Sequence, residues 1–303
     1  MQRISLVEEM RAAVQSLRGQ PAAAGNGKMH GARSVGLVPT MGALHEGHLS
    51  LVRAAKASCD AVVVSIFVNP TQFGPLEDFD IYPRRVEQDC ALLEREGVDA
   101  VFLPSVDEMY PPGATTYVDV GKIGEKLDGA SRPGHFRGVA TVVSKLFQIV
   151  DPDRAFFGQK DAAQVAVLRR MVRDMHFRTE LVACPIVREN DGLAMSSRNS
   201  YLSADEREQA LVLNKALRII QSRFNEGERE AERLIASGLF VMSYEPMVRI
   251  DYLKVVHPRT LEDVHTVDGS ALVALAAFVG KTRLIDNVIL EDAAVAVTAA
   301  GQA

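Results

Sequence analysis

The sequence predicts an α/β fold, with a Rossmann-like doubly wound parallel sheet followed by a second, smaller α+β domain at the C-terminal end. Between residues 35 and 184, short apolar runs alternate with segments of helical periodicity. One of these runs, Ala61–Val68, is β-branched and nearly continuous, which is typical of a strand buried on both faces. After residue 186 the alternation stops, and two helical segments are followed by three strand-like runs, a pattern typical of a separate α+β domain.

The first half of the chain predicts these elements in order. Residues 3–18 have apolar side chains at helical spacing and predict an amphipathic helix, and the Gly- and Ala-rich residues 19–34 predict a flexible loop. Five strands are predicted in the alternating region, at Val35–Thr40, Ala61–Val68, Asp99–Leu103, Arg154–Phe157 and Thr179–Cys184. Helices are predicted between them at His48–Ser58, Arg85–Glu96, Val139–Ile149 and Ala162–Asp174.

The C-terminal part begins with a helix-start signal. Ser203 and Glu206 predict a capping box for a helix over residues 204 to about 224. A second helix is predicted over residues 226–237, followed by strands at Arg249–Val256, Leu272–Phe278 and Thr282–Leu290. We therefore predict domains over residues 1–186 and 187–290, the second as a small lid domain, with residues 291–303 as a flexible tail.

Composition limits the classes of partner. Of the 303 residues 47% are hydrophobic and 24% charged, and the net charge of −5 forms no basic stripe, which argues against nucleic-acid binding. The longest apolar runs, such as residues 271–279, are far too short to span a membrane, and the N-terminus carries no apolar signal segment. The three cysteines lack metal-site spacing and fit a reducing compartment, so we expect a cytoplasmic protein with neither membrane nor nucleic-acid partners.

A histidine pair, His45 and His48, lies at the start of a predicted helix directly after the strand that ends at Thr40. Residues three apart share one helix face, and at a helix start they lie beside unpaired N–H groups and the positive end of the helix dipole. The position favours a phosphate, and Gly47 permits its close approach. The alternatives are a metal pair or a solvated helix start. A metal is less favoured because no third ligand is near in sequence.

A second anion-binding segment is predicted at Met195–Asn199, where Ser196 and Ser197 precede Arg198. Two hydroxyls and a guanidinium can bind a departing pyrophosphate. The turn-forming residues 189–192 before them suit a loop that opens and closes. The alternative is a polar linker between domains in which Arg198 is incidental.

Two further segments have side chains suited to an organic acid. Asn69 and Gln72 follow a predicted strand, and their neutral amides can bind hydroxyl and carboxylate oxygens. An ordinary Asn-Pro turn explains Asn69 equally well. Arg132 and His135 lie in a cationic segment flanked by glycines and can receive a carboxylate.

A last segment, Phe156–Gln164, follows a strand and opens a helix, so that Lys160 can meet a phosphate and Gln164, one turn along, can face the acid. The His45–His48 segment resembles the HxGH signature of a nucleotidyltransferase superfamily, and Met195–Asn199 resembles its second phosphate loop. Together the five segments resemble the pantothenate synthetase family of that superfamily in order and approximate spacing. The resemblance is specific over residues 35–205 and looser beyond.

The resemblance implies an activity. The family joins pantoate to β-alanine with ATP through a pantoyl-adenylate, releases AMP and pyrophosphate, uses Mg²⁺ and is usually a homodimer. It implies catalytic roles for His45, His48, Lys160 and Arg198, which stabilise the adenylation transition state. ATP would further contact Met41, Gly158, Asp161, Val187, Met195, Ser196 and Ser197. Pantoate would contact Gln72, Gln164 and Asn69. Asp89 falls near a position associated with Mg²⁺, although a solvated helix carboxylate explains it equally well.

Other functions are compatible with parts of the sequence. A nucleotidylyltransferase that leaves AMP on its product explains the histidine pair but not the paired amides or the C-terminal domain. A tRNA synthetase is disfavoured by the acidic balance and the missing anticodon-binding domain. A nucleotide-binding sensor is disfavoured because the histidine pair, Lys160 and Arg198 are all present.

Overall fold

The computed structural model describes residues 1–19, 32–75 and 77–291, which form two compact units. Residues 1–124, 132–159 and 167–185 make up the first unit. Residues 125–131, 160–166 and the chain from 186 onward make up the second. Two short segments, 125–131 and 160–166, thus group with the second unit although they lie within the predicted first domain. Residues 20–31 of the predicted loop and 292–303 of the predicted tail lie outside the described residues.

A six-stranded parallel sheet forms the centre of the first unit. Its strands are β1 Gln2–Ile4, β2 Val35–Thr40, β3 Ala61–Ile66, β4 Ala100–Phe102, β5 Arg154–Gly158 and β6 Glu180–Cys184. Their order is β1-β4-β3-β2-β5-β6, so the chain winds outward from β2 first in one direction and then in the other. The doubly wound parallel sheet is confirmed. In this architecture ligands bind beyond the carboxyl ends of the strands where the winding reverses, here between β2 and β5.

Helices pack against this sheet. The first seven helices in chain order are α1 Val7–Gly19, α2 Glu46–Ser58, α3 Val86–Arg95, α4 Val106–Met109, α5 Asp128–Ser131, α6 His135–Val150 and α7 Ala162–Asp174. Of these, α5 and residues 162–166 of α7 group with the second unit. Apolar residues of α2 and α3, among them Leu51, Val52 and Leu93, pack against Val62 and Val64 of β3. Helices α1 and α6 contact β2 and each other. All residues of β3 are buried, as predicted for a strand covered on both faces.

Two predicted helix boundaries in the first unit are wrong. Residues 3–18 do not form one helix, because Gln2–Ile4 pairs in parallel with β4 as an edge strand and α1 begins only at Val7. This pairing joins segments almost a hundred residues apart and is invisible to local periodicity. The helix predicted from Val139 begins at His135, directly after Gly134, whose φ of 84° ends the preceding turn.

The second unit is built on an antiparallel sheet of three strands in the order β7-β8-β9, confirming the smaller α+β fold. The strands are β7 Val248–Val256, β8 Ser270–Val279 and β9 Thr282–Glu291, and the helices are α8 Ala204–Ala210, α9 Val212–Asn225 and α10 Ala231–Met242. Leu213, Leu217 and Ile220 of α9 share a core with Val273 and Leu275 of β8. The capping box is confirmed: Ser203 Oγ accepts from the Glu206 N–H at 3.2 Å, and Glu206 Oε2 accepts from the Ser203 N–H at 2.8 Å.

The helix predictions in this unit need correction. The helix predicted over 204–224 is two helices, because the chain breaks at Leu211 between α8 and α9. The helix predicted over 226–237 begins later, at Ala231, because Gly227 with a φ of 104° forms a turn after α9. A glycine in the left-handed region commonly follows the end of a helix, which explains the shift.

Candidate active site

His45 and His48 lie where the chain leaves β2 and enters α2. His45 is the N-cap of α2, and its Nδ1 accepts a hydrogen bond from the Gly47 N–H at 3.1 Å. His48 Nδ1 accepts from the His45 N–H at 3.3 Å, which completes a capping box, and the two ring centroids lie 4.1 Å apart. A neutral imidazole that accepts at Nδ1 carries its proton on Nε2. Both histidines are therefore held in the tautomer that offers an Nε2–H donor.

A buried carboxylate holds the loop before His45. Asp89 of α3 is 2% exposed, and its two oxygens accept the N–H groups of Ala43 at 2.9 Å and Leu44 at 2.8 Å. Gly42 and Ala43 have φ values of 84° and 50°, a conformation that costs energy for the alanine. Burial raises the pKa of Asp89, although the two backbone hydrogen bonds favour its charged form. Asp89 thus fixes the loop that presents both histidines.

In this arrangement Asp89 does not fit a Mg²⁺ ligand. Magnesium binds carboxylate oxygens together with several waters, whereas both oxygens of Asp89 are buried and already accept backbone N–H groups. Over residues 1–19, 32–75 and 77–291, no group of three or more His, Cys, Asp or Glu side chains could hold a metal ion.

Asn69 and Gln72 follow β3 and share one hydrogen-bond network. Asn69 Nδ2 donates to Gln72 Oε1 and to the Gly138 carbonyl, each at 3.1 Å. Its Oδ1 accepts from the Tyr110 hydroxyl at 2.9 Å and from the Thr71 side chain at 2.9 Å. Both atoms of the Asn69 amide are thus hydrogen-bonded within the protein. Because Asn69 Nδ2 is a donor, the atom of the Gln72 amide that faces it must be the oxygen. Gln72 Nε2 lies 3.0 Å from the sulfur of the predicted ligand residue Met41.

Arg132 and His135 also have protein partners. Arg132 makes two hydrogen bonds to Glu77, at 2.7 and 2.6 Å, and its Nη1 lies 3.1 Å from His135 Nε2. His135 Nδ1 donates to the Gln72 carbonyl at 2.8 Å, so Nε2 accepts from Arg132. Burial opposes the charge on Glu77, but the hydrogen bonds and charge of Arg132 outweigh it and lower the pKa of Glu77. The chain Glu77–Arg132–His135 therefore ends on the backbone of Gln72.

In the second unit, residues 187–195 form a hairpin that leads into the predicted phosphate loop. The Met195 N–H donates to the Val187 carbonyl at 3.0 Å, and Arg188 bridges to Ala194. Ser196 then caps a short 3-10 turn, because its Oγ accepts from the Arg198 N–H at 3.3 Å. Val187 and residues 195–198 are thus brought together on one ordered segment.

The predicted residues after β5 are divided between the units. Gly158 ends β5 in the first unit, and a Cβ built there would meet no atom of the described residues within 4 Å. In the second unit, Lys160 Nζ lies 3.6 Å from Asp161 Oδ2. Gln164 lies in the first turn of α7 and is half-buried. Gly158 therefore leaves room for a close ligand, and the charges of Lys160 and Asp161 are adjacent.

Sequence patterns do not predict several residues that organise these segments: Glu77, Tyr110, Arg188, Asp286 and Asn287. Their partners lie far away in sequence, and no local pattern marks them. A sequence signal exists for the last pair alone, since Asp286 and Asn287 are two adjacent polar residues inside the otherwise apolar run of residues 284–290. In the structure both are 3% exposed.

Comparison with known proteins shows similarity to one family over nearly the whole chain. A family model described as pantoate-beta-alanine ligase matches residues 2–289. The pantothenate synthetase of Acidobacterium capsulatum is 68% identical over 292 residues, which cover 96% of this chain and 98% of that protein. That of Thermotoga neapolitana is 54% identical over 290 residues, covering 96% of this chain and 100% of that protein.

Two solved structures are similar to this one. The crystal structure of pantothenate synthetase from Thermus thermophilus has a TM-score of 0.86 at 46% identity, covering 95% of this chain and 99% of that chain. The pantoate-beta-alanine ligase from Francisella tularensis, complexed with beta-gamma ATP and beta-alanine, has a TM-score of 0.74 at 33% identity, covering 95% of this chain and 97% of that chain.

Proposed function

The chain belongs to the pantoate–β-alanine ligase family, and from this membership we propose how its residues carry out the reaction. The reaction is the ATP-dependent condensation of pantoate with β-alanine to pantothenate, which forms a C–N bond and makes the protein a ligase. One observation carries the proposal for the site. The His45–His48 capping box holds two Nε2–H donors at a helix start after β2, next to the point where the winding of the sheet reverses.

The chemistry requires an activated acid. A free carboxylate is a poor acyl donor because its leaving group would be oxide. Attack of a pantoate carboxylate oxygen on the α-phosphorus of ATP forms the pantoyl-adenylate and expels pyrophosphate. The amine of β-alanine then attacks the acyl carbon, forms the amide and expels AMP. In the first step negative charge grows on the α-phosphate and on the departing pyrophosphate, so donors aimed at these oxygens accelerate it.

His45 and His48 are proposed as such donors. The capping box uses both Nδ1 atoms, and we propose that the Nε2–H groups donate to phosphate oxygens of ATP. The start of α2 adds backbone N–H groups and a favourable dipole for a phosphate. Because Asp89 fixes the loop before them, the donors are oriented before ATP arrives, and their reorganisation cost during the reaction is low.

For pantoate we propose Gln72 and Gln164 as the groups that bind its hydroxyl and carboxylate oxygens. The Asn69 amide supports this assignment indirectly, because it fixes the Gln72 amide so that Nε2, which lies 3.0 Å from the Met41 sulfur, is its donor end. We therefore propose that Asn69, predicted as a pantoate contact, acts through Gln72.

For the nucleotide we propose contacts from the residues that match the family motif. Met41 and Gly158 lie against the ligand, Asp161 contacts the ribose and Val187 contacts the adenine. Lys160 and Arg198 supply positive charge to the phosphates, with the hydroxyls of Ser196 and Ser197 and with Met195 beside them. These roles rest on the family motif, position by position.

Magnesium remains part of the proposal as the ordinary partner of ATP phosphates. Because Asp89 does not fit as its ligand, and the described residues form no metal-binding group of three, no step of the reaction is assigned to the ion.

For β-alanine, Arg132 and His135 stay a prediction. Glu77 accepts two of the five N–H groups of Arg132 and His135 Nε2 accepts a third, so a substrate carboxylate that contacts Arg132 competes with these partners. No general base for the amine is assigned, and we propose that positioning of the neutral amine against the acyl carbon suffices.

We further propose a homodimer, as in the resembling family, and a cytoplasmic location. All three cysteines are free, which suits a reducing compartment. No helix in the part of the chain that the structure describes is both long and apolar enough to cross a membrane.

Release of AMP and pyrophosphate from ATP tests the function directly, with pantoate and β-alanine each omitted in turn. We expect sustained AMP release only when both are present. His45→Ala should lower kcat by about 10²-fold or more, as loss of a transition-state donor does. The matched control is His265→Ala, an exposed histidine of the second unit, with an unchanged rate. Absence of turnover with pantoate would overturn the substrate, and ATP binding without pyrophosphate release would indicate a sensor.

A further inference from the structure

Two buried polar residues of β9, Asp286 and Asn287, have no part in the chemistry described so far. We propose that they are positioning residues for nucleotide binding, because from adjacent places on one strand they hold the 187–195 hairpin and the backbone of Lys160. The inference rests on the proposed function, in which Lys160 and the segment after the hairpin contact ATP.

Asp286 holds the hairpin through Arg188. The carboxylate accepts both terminal nitrogens of Arg188, with Oδ2–Nη1 at 2.6 Å and Oδ1–Nη2 at 3.0 Å. The same Nη1 donates to the Gly192 carbonyl at 3.2 Å, across the turn of the hairpin. A two-pronged pair of this kind fixes direction as well as distance. The arm that it orients continues without a break into residues 196–198.

Burial makes the negative charge on Asp286 costly, so the carboxylate depends on its pairing with Arg188. The side chain of Asp286 is 3% exposed, whereas that of Arg188 is 28% exposed. Burial raises the pKa of Asp286, while Arg188 and the nearby charge of Lys160 favour its ionised form. Removal of one partner of a buried pair leaves the other charge uncompensated, so the arrangement tolerates little change.

Asn287 holds the segment of Lys160. Its Nδ2 donates to the Lys160 carbonyl at 2.9 Å, and the Asn287 N–H donates to Asp286 Oδ1 at 2.8 Å, which links the two residues. This contact explains why residues 160–166 group with the second unit although they follow β5 of the first sheet. Strand β9 thus contacts both cationic segments of the second unit, the one that contains Lys160 and the hairpin that leads into residues 196–198.

A similar device elsewhere on the same strand supplies a control. Arg283 of β9 binds Asp251 Oδ2 through two nitrogens, at 3.0 and 2.8 Å, and donates to Asp128 at 2.7 Å. It holds residues 125–131, to which we assign no nucleotide contact. Asp251→Asn therefore breaks a comparable ion pair in the same sheet without touching either cationic segment.

The test compares Asp286→Asn and Asn287→Ala with Asp251→Asn and the wild-type protein. Steady-state rates give kcat and the KM for ATP and for β-alanine, calorimetry gives the Kd of a non-hydrolysable ATP analogue, and urea unfolding gives the folded fraction. We expect both β9 variants to lose at least about tenfold in kcat/KM for ATP, with the KM for β-alanine within about twofold. Asp251→Asn should keep the wild-type kcat/KM for ATP and the wild-type KM for β-alanine.

The outcomes separate this inference from the proposed function. A wild-type protein without turnover defeats the proposed function itself. An active wild-type protein whose folded β9 variants bind and use ATP as Asp251→Asn does overturns the positioning role. Equal loss for ATP and β-alanine, in proportion to the folded fraction, does the same. If Asp286→Asn does not fold, Asn287→Ala decides, because it removes no charge from the buried pair of Asp286 and Arg188.

Discussion

At the residue scale, the side chains of the site divide into those that face reactants and those that hold other side chains. We propose that His45, His48 and Gln72 are of the first kind. Asp89 and Asn69 belong to the second, because the hydrogen-bonding atoms of each are used by the protein. From the sequence, Asp89 could be a metal ligand because it is a carboxylate near a predicted phosphate site. In the structure its hydrogen bonds to the backbone of residues 43 and 44 indicate that it supports the loop.

Substitution of Asp89 by Asn tests that distinction. The amide keeps one acceptor, but its NH₂ faces a backbone N–H of the 43–44 loop, so the cost is on the order of 1–3 kcal/mol in unfolding free energy. The histidines then lose their fixed orientation, and we expect kcat to fall by at least about tenfold, since small misplacements are costly. Rates at increasing Mg²⁺ and urea unfolding are the measurements.

The control for Asp89→Asn is Glu87→Gln on the same helix, which breaks an exposed pair with Arg3 and should leave the rate unchanged. Recovery of the Asp89→Asn rate at high Mg²⁺ would contradict the loop-support role and restore the metal assignment. A rate within about twofold of wild type would contradict both roles.

Sequence patterns suggest candidates for the residues that bear chemistry but not for the residues that hold them in place. His45, Lys160 and Arg198 follow strands or turns in recognisable local patterns. Glu77 and Asp286 act on arginines 55 and 98 residues away, and no local pattern reports such a partner. Burial decides their role, and burial is a property of the folded chain.

At the element scale, contact between α6 and the 3-10 turn Pro70–Gln72 positions the Gln72 amide, which we propose as a pantoate contact. Gly138 of α6 lies against the backbone of this turn, and a Cβ there would meet the Thr71 carbonyl oxygen at 2.3 Å and Gln72 Cα at 2.7 Å. Both atoms belong to backbone and cannot rotate away. The absence of a side chain at position 138 is therefore a condition for the Asn69–Gln72 arrangement.

We expect Gly138→Ala to push this turn away from α6. Overpacking of this kind costs about 1–3 kcal/mol in unfolding free energy, and the displaced Gln72 should raise the KM for pantoate more than that for ATP. Urea unfolding and steady-state rates measure both effects. Gly19→Ala, where a new Cβ meets no described atom within 4 Å, is the matched control. An unchanged KM for pantoate in folded Gly138→Ala protein would contradict the assignment of Gln72.

Elements with strong periodicity were predictable, and those decided by distant partners were not. The residues of α7 and β2 match their predicted bounds because hydrophobic spacing alone defines them. The three-residue strand β1 forms by pairing with β4, and two of its residues, Arg3 and Ile4, fall inside the helix predicted over residues 3–18. The start of α10 was misplaced because a glycine turn precedes it.

At the scale of the whole molecule, each unit has its own sheet and its own core. The histidine pair and Gln72 lie in the first unit, after β2 and β3. Lys160 and the segment after the hairpin lie in the second unit. We expect loss of either set to slow activation of the acid, because charge develops on the α-phosphate and on the pyrophosphate together.

Oxygen tracing shows directly whether pantoate is activated as its adenylate. Pantoate with oxygen-18 in both carboxylate positions is converted with ATP and β-alanine, and the products are examined by mass spectrometry. We expect one labelled oxygen in AMP, one in pantothenate and none in pyrophosphate. Unlabelled AMP, with the label in pyrophosphate or inorganic phosphate, would contradict attack of pantoate at the α-phosphorus.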